Sequence, residues 1–268
     1  MDRIMGHLPG KQSLRDTPIT LPLKGKVQPV VQADLLPAVH SPIQVIQSNQ
    51  FGFNISLDDF NPAEFSGVQF PELLDMQIRA ALAEMTQLTG KVYGADRDAM
   101  LLTLSSSPST SASEHPDEVP FIGLGDKTLP GICAMLDDPR PVYEAYCRLI
   151  MAYARVVIGT SYCRSKSTSK NMHDRMENRL HQLKGRKGFS HNHELSASDW
   201  ANMAGTFKAM IQVSCGTTFP EEPWTQLLSI LRAKTQHIFA ESASGGLKQT
   251  PVRLPELTFF VTTIEGSL

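Results

Sequence analysis

A chain of 268 residues with 41% apolar and 19% charged side chains has the matter for one large domain or two small ones, which excludes a wholly disordered protein. Its formal net charge of −2 excludes a global electrostatic pull toward nucleic acid or an anionic membrane. No run approaches the ~18 apolar residues of a membrane span, and the opening Met1-Asp2-Arg3-Ile4-Met5-Gly6 carries an early acid and no apolar core, against a secretory leader.

Residues 1–49 come first and read as an extended arm. Pro9, Pro18, Pro22, Pro29, Pro37 and Pro42 recur every few positions, each fixing φ and removing a backbone donor. Leu21, Leu23, Val30, Val31, Leu35 and Leu36 give this stretch apolar teeth, so it is either a disordered tail or an arm that orders along a partner. Residues 50–268 read as the folded domain.

From Pro71 the spacing predicts a helix with Leu73, Ile78, Ala81, Leu82, Met85 and Leu88 on one face and Gly90 as its C-cap. Met100–Leu104 is of strand length, and Ser105–Ser113 is a loop by composition. After Pro141, Val142, Tyr146, Leu149, Ile150, Tyr153, Val156 and Val157 step by three and four, and Gly159 closes that helix. Met172, Met176, Leu180 and Leu183 mark a third helix. Ser196 or Ser198 caps a fourth, with Trp200, Met203, Phe207, Met210 and Ile211 inward and Gly216 at its end. A fifth starts near Glu221 and carries Trp224, Leu227, Leu228, Leu231, Ile238 and Phe239 on one stripe before Gly245-Gly246. The β-branched and aromatic run 257–263 closes the chain as a strand. The fold class is α+β and helix-rich, with short strands and a helical subdomain.

Several motifs stand in a definite order: Gly52-Phe53-Asn54-Ile55-Ser56, then Phe70-Pro71-Glu72-Leu73 through Leu88-Thr89-Gly90-Lys91-Val92-Tyr93-Gly94, then Val142-Tyr143-Glu144-Ala145-Tyr146-Cys147-Arg148 through Val156-Val157-Ile158-Gly159. Glu194-Leu195-Ser196-Ala197-Ser198-Asp199 and the Gly216, Phe219, Pro220, Pro223, Gln226, Leu227 pattern follow. Together, over about residues 50–245, this set resembles the N-terminal nucleotide-binding domain of pyruvate, phosphate dikinase. The resemblance implies a partial ATP-grasp-like domain, which in that family passes phosphate from ATP to a histidine on a separate swivelling domain. Neither the histidine domain nor the pyruvate-binding barrel fits in 268 residues, so the full reaction is not expected of this sequence.

The same resemblance implies a degenerate site. Phosphoryl transfer from ATP needs cations on the phosphates and carboxylates on Mg²⁺. In the alignment Val31 stands where the family's loop lysine belongs, Ser105 where its arginine belongs, and Ser107 where a glycine belongs. A serine cannot replace a bidentate, permanently charged guanidinium. The family's methionine loop becomes a stretch in which Asp117, Gly123, Leu124 and Asp126 remain, while Glu114 puts negative charge where phosphate would sit.

Other motifs have plainer readings. His191-Asn192-His193-Glu194 has too few ligands for a metal centre and reads as a solvated loop leading into a helix. Gly90-Lys91 lacks the glycine and hydroxyl of a Walker loop. Cys133, Cys147, Cys163 and Cys215 form no C-x-x-C pair, which suits a reducing, cytoplasmic setting. Charge is uneven: residues 61–140 carry 12 acidic and 5 basic side chains, whereas Arg164, Lys166, Lys170, Arg175, Arg179, Lys184, Arg186 and Lys187 cluster together. That basic set is either a solvated face or a docking surface for an acidic protein. No aromatic residues interleave with it as nucleic-acid binding would require. The expectation is a non-catalytic pseudoenzyme acting as a structural or protein-interaction component of a larger, for example cytoskeletal, assembly. No catalytic residue, metal or cofactor is expected, with ATP and Mg²⁺ at most a weak remnant. The alternative is an ATP sensor or half-enzyme completed by a partner subunit.

Overall fold

In the computed structural model the described residues are 43–47, 51–57, 71–106, 118–159, 166–244 and 256–264. The chain divides into two compact units, Met1–Val39 and His40–Leu268, and every described residue belongs to the second. The proline-rich stretch through Pro42, the loop 107–113 and Gly245-Gly246 lie outside the described residues.

The sheet is built from strands far apart in sequence. β1 (Ile43–Gln47) pairs antiparallel with β2 (Phe51–Ile55), β2 with β6 (Leu257–Thr262), and β6 with β4 (Ala99–Ser106). β4 also takes β5 (Val119–Ile122) antiparallel and the two-residue β3 (Val92–Tyr93) parallel. The last strand is thus inserted between β2 and β4. Period-two alternation puts Phe53, Ile55, Leu102, Leu104, Leu257 and Phe259 on the core face, all with no exposed surface. Phe53 and Phe259 stack with centroids 5.0 Å apart. Gly52 lies so close to the Phe259 carbonyl that no side chain fits there. The expected strands 100–104 and 257–263 are β4 and β6. Ser105 and Ser106, expected to begin a loop, instead finish β4 because β6 continues to pair with them.

Among the described residues there are six α-helices. α1 (Glu72–Thr89) ends on Gly90 at φ 72°, as its glycine predicts. Its buried stripe is Leu74, Ile78, Ala81, Leu82 and Met85, whereas Leu73 is 58% exposed and Leu88 is exposed too. The helix therefore sits one residue out of phase with the expected face at its start. α2 (Leu129–Met135) was not foreseen. α3 (Arg140–Tyr153) buries all the expected positions and runs on through a π-helical turn, Ala154–Ile158. α4 (Lys166–Lys187) buries Met172 and Met176 completely. α5 (Ala197–Cys215) is capped by Ser196, whose hydroxyl accepts from Asp199 N while Asp199 Oδ2 accepts from Ser196 N at 3.1 Å. α6 (Pro223–Ser244) buries Leu227, Ile230 and Leu231. Each fully buried aliphatic or aromatic side chain contributes about 1.5–3 kcal/mol. The core they form is continuous across sheet and helices, so the fold is helix-rich α+β. Among the described residues no helix is long and apolar enough to cross a membrane.

Candidate functional site

Residues directly opposite in an antiparallel ladder share one face of the sheet. The register aligns Gln44, Asn54, Thr258 and Ser105 in one row across β1, β2, β6 and β4. Asn54, Thr258 and Ser105 are half-buried. On the same face Thr262 Oγ1 donates to Thr103 Oγ1 at 2.7 Å. The row holds hydroxyls and amides and no Lys, Arg or His. Asn54 Nδ2 donates to Glu256 Oε2 at 3.4 Å, and Asn54 Oδ1 is buried with no donor among the described residues. These four side chains can make neutral hydrogen bonds and carry no positive charge of their own. Val31, Ser107 and Glu114 lie outside the described residues. Of the expected site residues, Ser105 alone is placed here, beside Thr258.

The retained loop residues converge elsewhere, in a buried polar knot. After β5 the chain turns at Gly123 (φ 112°) and passes under the start of α6. Gln226, fully buried, accepts from Gly123 N at 2.9 Å and donates to the carbonyls of Leu124 (2.7 Å) and Pro220 (2.8 Å). Thr128, also fully buried, donates to Gly123 O at 2.8 Å and accepts from Gly125 N at 3.0 Å. Beside it Glu221 accepts from Tyr146 Oη at 2.6 Å, Lys208 Nζ at 2.8 Å and Asp126 N at 3.2 Å. Burial, then the Glu221 hydrogen bond and charge, push the Tyr146 phenol up, so it stays a neutral donor. Burial works against the Lys208 ammonium, but the Glu221 hydrogen bond and the charges of Glu221 and Asp126 outweigh it and raise its pKa. The knot thus gathers Gly123, Leu124 and Asp126 with Pro220 and Gln226, while Asp117 lies outside the described residues. Lys208, missed in the sequence, had one signal: it is the sole cation of α5, placed beside Phe207.

The basic set is divided by the helix that carries it. At about 100° per residue, Arg175, Arg179 and Arg186 fall on one flank of α4, and Lys184 points roughly the opposite way. Arg175 donates to Ser214 Oγ (3.3 Å) and Arg179 to Gln182 Oε1 (3.3 Å). Lys184 donates to Asn192 Oδ1 (3.0 Å), and Lys187 pairs with Asp199 at 2.7 Å. Lys166 and Lys170 lie in α4, and the placement of their side chains and of Arg164 lies outside what is described.

The His191–Glu194 stretch is a 3-10 turn leading into α5. Glu194 Oε2 accepts from His191 N (2.6 Å) and Ser190 N (2.7 Å), which holds its carboxyl below the usual range, and the rings of His191 and His193 stack at 5.3 Å. Among the described residues, His173, Asp174 and Glu177 of α4 bring their donor atoms within 4.8 Å of one another. That group was not anticipated, and it consists of neighbours on one turn with two of the three exposed.

No family model matches the chain. Among curated proteins, pyruvate, phosphate dikinase of Rhizobium meliloti (strain 1021) is 29% identical over 167 residues, 62% of this chain and 17% of the relative. That of Clostridium symbiosum is 28% identical over 183 residues, 68% of this chain and 20% of the relative. The chloroplastic pyruvate, phosphate dikinase 1 of Arabidopsis thaliana is 26% identical over 176 residues, 66% and 17% respectively. The chain is therefore related to a fragment of pyruvate, phosphate dikinase, and it spans about a fifth of the length of the curated relatives it matches.

Proposed function

We propose that this chain is a non-catalytic derivative of a pyruvate, phosphate dikinase nucleotide-binding domain, acting as a structural or protein-interaction component of a larger assembly. The observation that carries the first half is the neutral row Gln44, Asn54, Thr258 and Ser105. Where the resemblance calls for an arginine, the backbone pairs Ser105 into the sheet with hydroxyls and an amide as neighbours. A phosphoryl-transfer site with no cation on the phosphates loses the electrostatic stabilisation on which the reaction mainly depends. The interaction half is supported by the polar knot, whose buried groups are hydrogen-bonded, and by the basic side chains carried by α4. Partners are then proteins, bound through residues 1–49 and α4.

Calorimetric titration of the chain with Mg-ATP tests the catalytic half. No saturable heat is expected up to millimolar nucleotide. Saturable binding that weakens on Asn54→Ala would instead support a nucleotide sensor. Affinity capture from lysate with the intact chain and with a chain lacking residues 1–49 tests the interaction half, with a discrete, salt-sensitive partner lost in the second case as the expected outcome.

A further inference from the structure

A cleft of about 510 Å³ opens between α3, α4 and the beginning of α5. Its apolar lining includes Met151 and Leu180, and its polar lining has an imbalance that net charge conceals. Of the two acids that reach it, Glu144 accepts from Arg140 at 3.1 Å, and Glu177 lies 3.9 Å from His173 Nδ1, an ion pair only while that ring is protonated. The two permanent cations form no ion pair among the described residues: Arg148 is exposed, with its guanidinium carbon 5.7 Å from the Phe121 ring centroid, and Lys184 donates to the neutral Asn192.

A third observation points the same way. Trp200 also lines the cleft, is 2% exposed, and its Nε1–H is buried with no acceptor among the described residues. An indole N–H carries a donor only, and leaving it unsatisfied costs about 1–3 kcal/mol. The other tryptophan shows the usual arrangement, Trp224 Nε1 donating to Asp75 Oδ1 at 3.2 Å. Two cations without an ion pair and one unsatisfied donor among the residues lining an apolar cleft suit an anionic acceptor on an aliphatic stem.

We propose that this cleft receives an acidic side chain, most simply a glutamate, from a segment of a partner protein. Its carboxylate meets Arg148, Lys184 and the Trp200 N–H, and its methylenes lie against Met151 and Leu180. The proposal rests on the protein-docking reading above and narrows it to one flank of α4, the side opposite Arg175 and Arg179. The cleft volume holds several residues of chain, so the acid anchors a segment and does not act alone.

The test titrates the full chain with a blocked deca-glutamate peptide, with deca-glutamine and inorganic phosphate as parallel arms. The indole N–H signals of Trp200 and Trp224 are followed by NMR and assigned with Trp200→Phe. Deca-glutamate is expected to move the Trp200 signal saturably while that of Trp224 stays put, and deca-glutamine to move neither. Arg148→Gln and Lys184→Gln should each weaken the effect by about tenfold, the loss typical of one charge-assisted hydrogen bond, and the double variant Arg175→Gln, Arg179→Gln should leave it unchanged. Three results overturn the proposal: a silent Trp200, wild-type affinity in both cleft variants, or phosphate acting as strongly as the peptide. Deca-glutamate that binds without moving Trp200, and is lost in the Arg175/Arg179 variant, refutes the cleft but leaves docking through the other flank standing. Failure of the docking reading itself shows separately, as absence of any captured partner.

Discussion

The row that crosses the sheet at Ser105 and the knot under α6 are made of similar atoms, hydroxyls, amides and carboxylates, but burial treats them differently. In the knot, Gln226 and Thr128 are wholly withdrawn from water and both are fully engaged. In the row, Asn54, Thr258 and Ser105 are half-buried and Asn54 Oδ1 has no donor among the described residues. A buried polar group cannot be exchanged without stranding its partner, so the scaffold keeps its chemistry. On the proposed reading, a cation at position 105 would stabilise a ligand and not the fold, so a serine there leaves the scaffold intact.

The sharpest way to break this comparison is at the knot. Gln226→Ala removes one acceptor and two donor contacts at a fully buried position, and about 3–5 kcal/mol of stability should go with them, read as a lower urea midpoint. A loss below about 1 kcal/mol would mean that water replaces the amide and that the knot is no more constrained than the row.

Lys208→Met tests its half-buried margin. Salt-bridge energies at such exposure predict a loss of about 1 kcal/mol near neutral pH. The sign with pH follows from the raised pKa of Lys208. Its contribution is complete below the ordinary value of 10.5 and is lost as pH rises through the higher folded value. Denaturation of the two proteins should therefore differ by a constant amount to about pH 10 and converge above it.

The smallest effect is expected in the row itself. Ser105→Arg should change stability by about 1 kcal/mol or less, because the side chain can leave the half-buried face for water. Measured by thermal melting, a much larger loss would show that the sheet face is structural and that the serine is there for packing.

Much of the scaffold was legible because its signals are local. The stepping of Val142, Tyr146, Leu149, Ile150 and Tyr153 lies within one helix, and Ser196 with Asp199 spells a cap over four residues. β1, β2 and β5 were not foreseen because each has only four or five residues, and what makes them strands is β4 or β6 from elsewhere in the chain. α2 escaped for a similar reason. It begins Leu129-Pro130-Gly131, which reads as a turn, yet Gly131 is placed there by the Asp96 carbonyl, whose approach leaves no room for a side chain. The error at Leu73 is one of phase: two adjacent leucines offered the same stripe, and packing chose Leu74. At the site, Ser105 could be aligned from sequence, but its row could not, since Gln44, Asn54 and Thr258 become neighbours only through register. Arg148, Lys184 and Trp200 likewise sit on three different helices.

The passage from α3 into its π-helical turn has a further consequence, in the time domain. Ala152, Tyr153, Ala154, Val156, Val157 and Ile158 are all buried and Arg155 among them is half-buried, so this stretch has only a narrow wet edge. The turn lies against both α4 and α6. The amide protons of its buried residues exchange chiefly through an opening that separates those helices, which places them among the slower-exchanging ones. Deuterium uptake at Val156 and Val157 is accordingly a clock for disassembly of the whole folded unit.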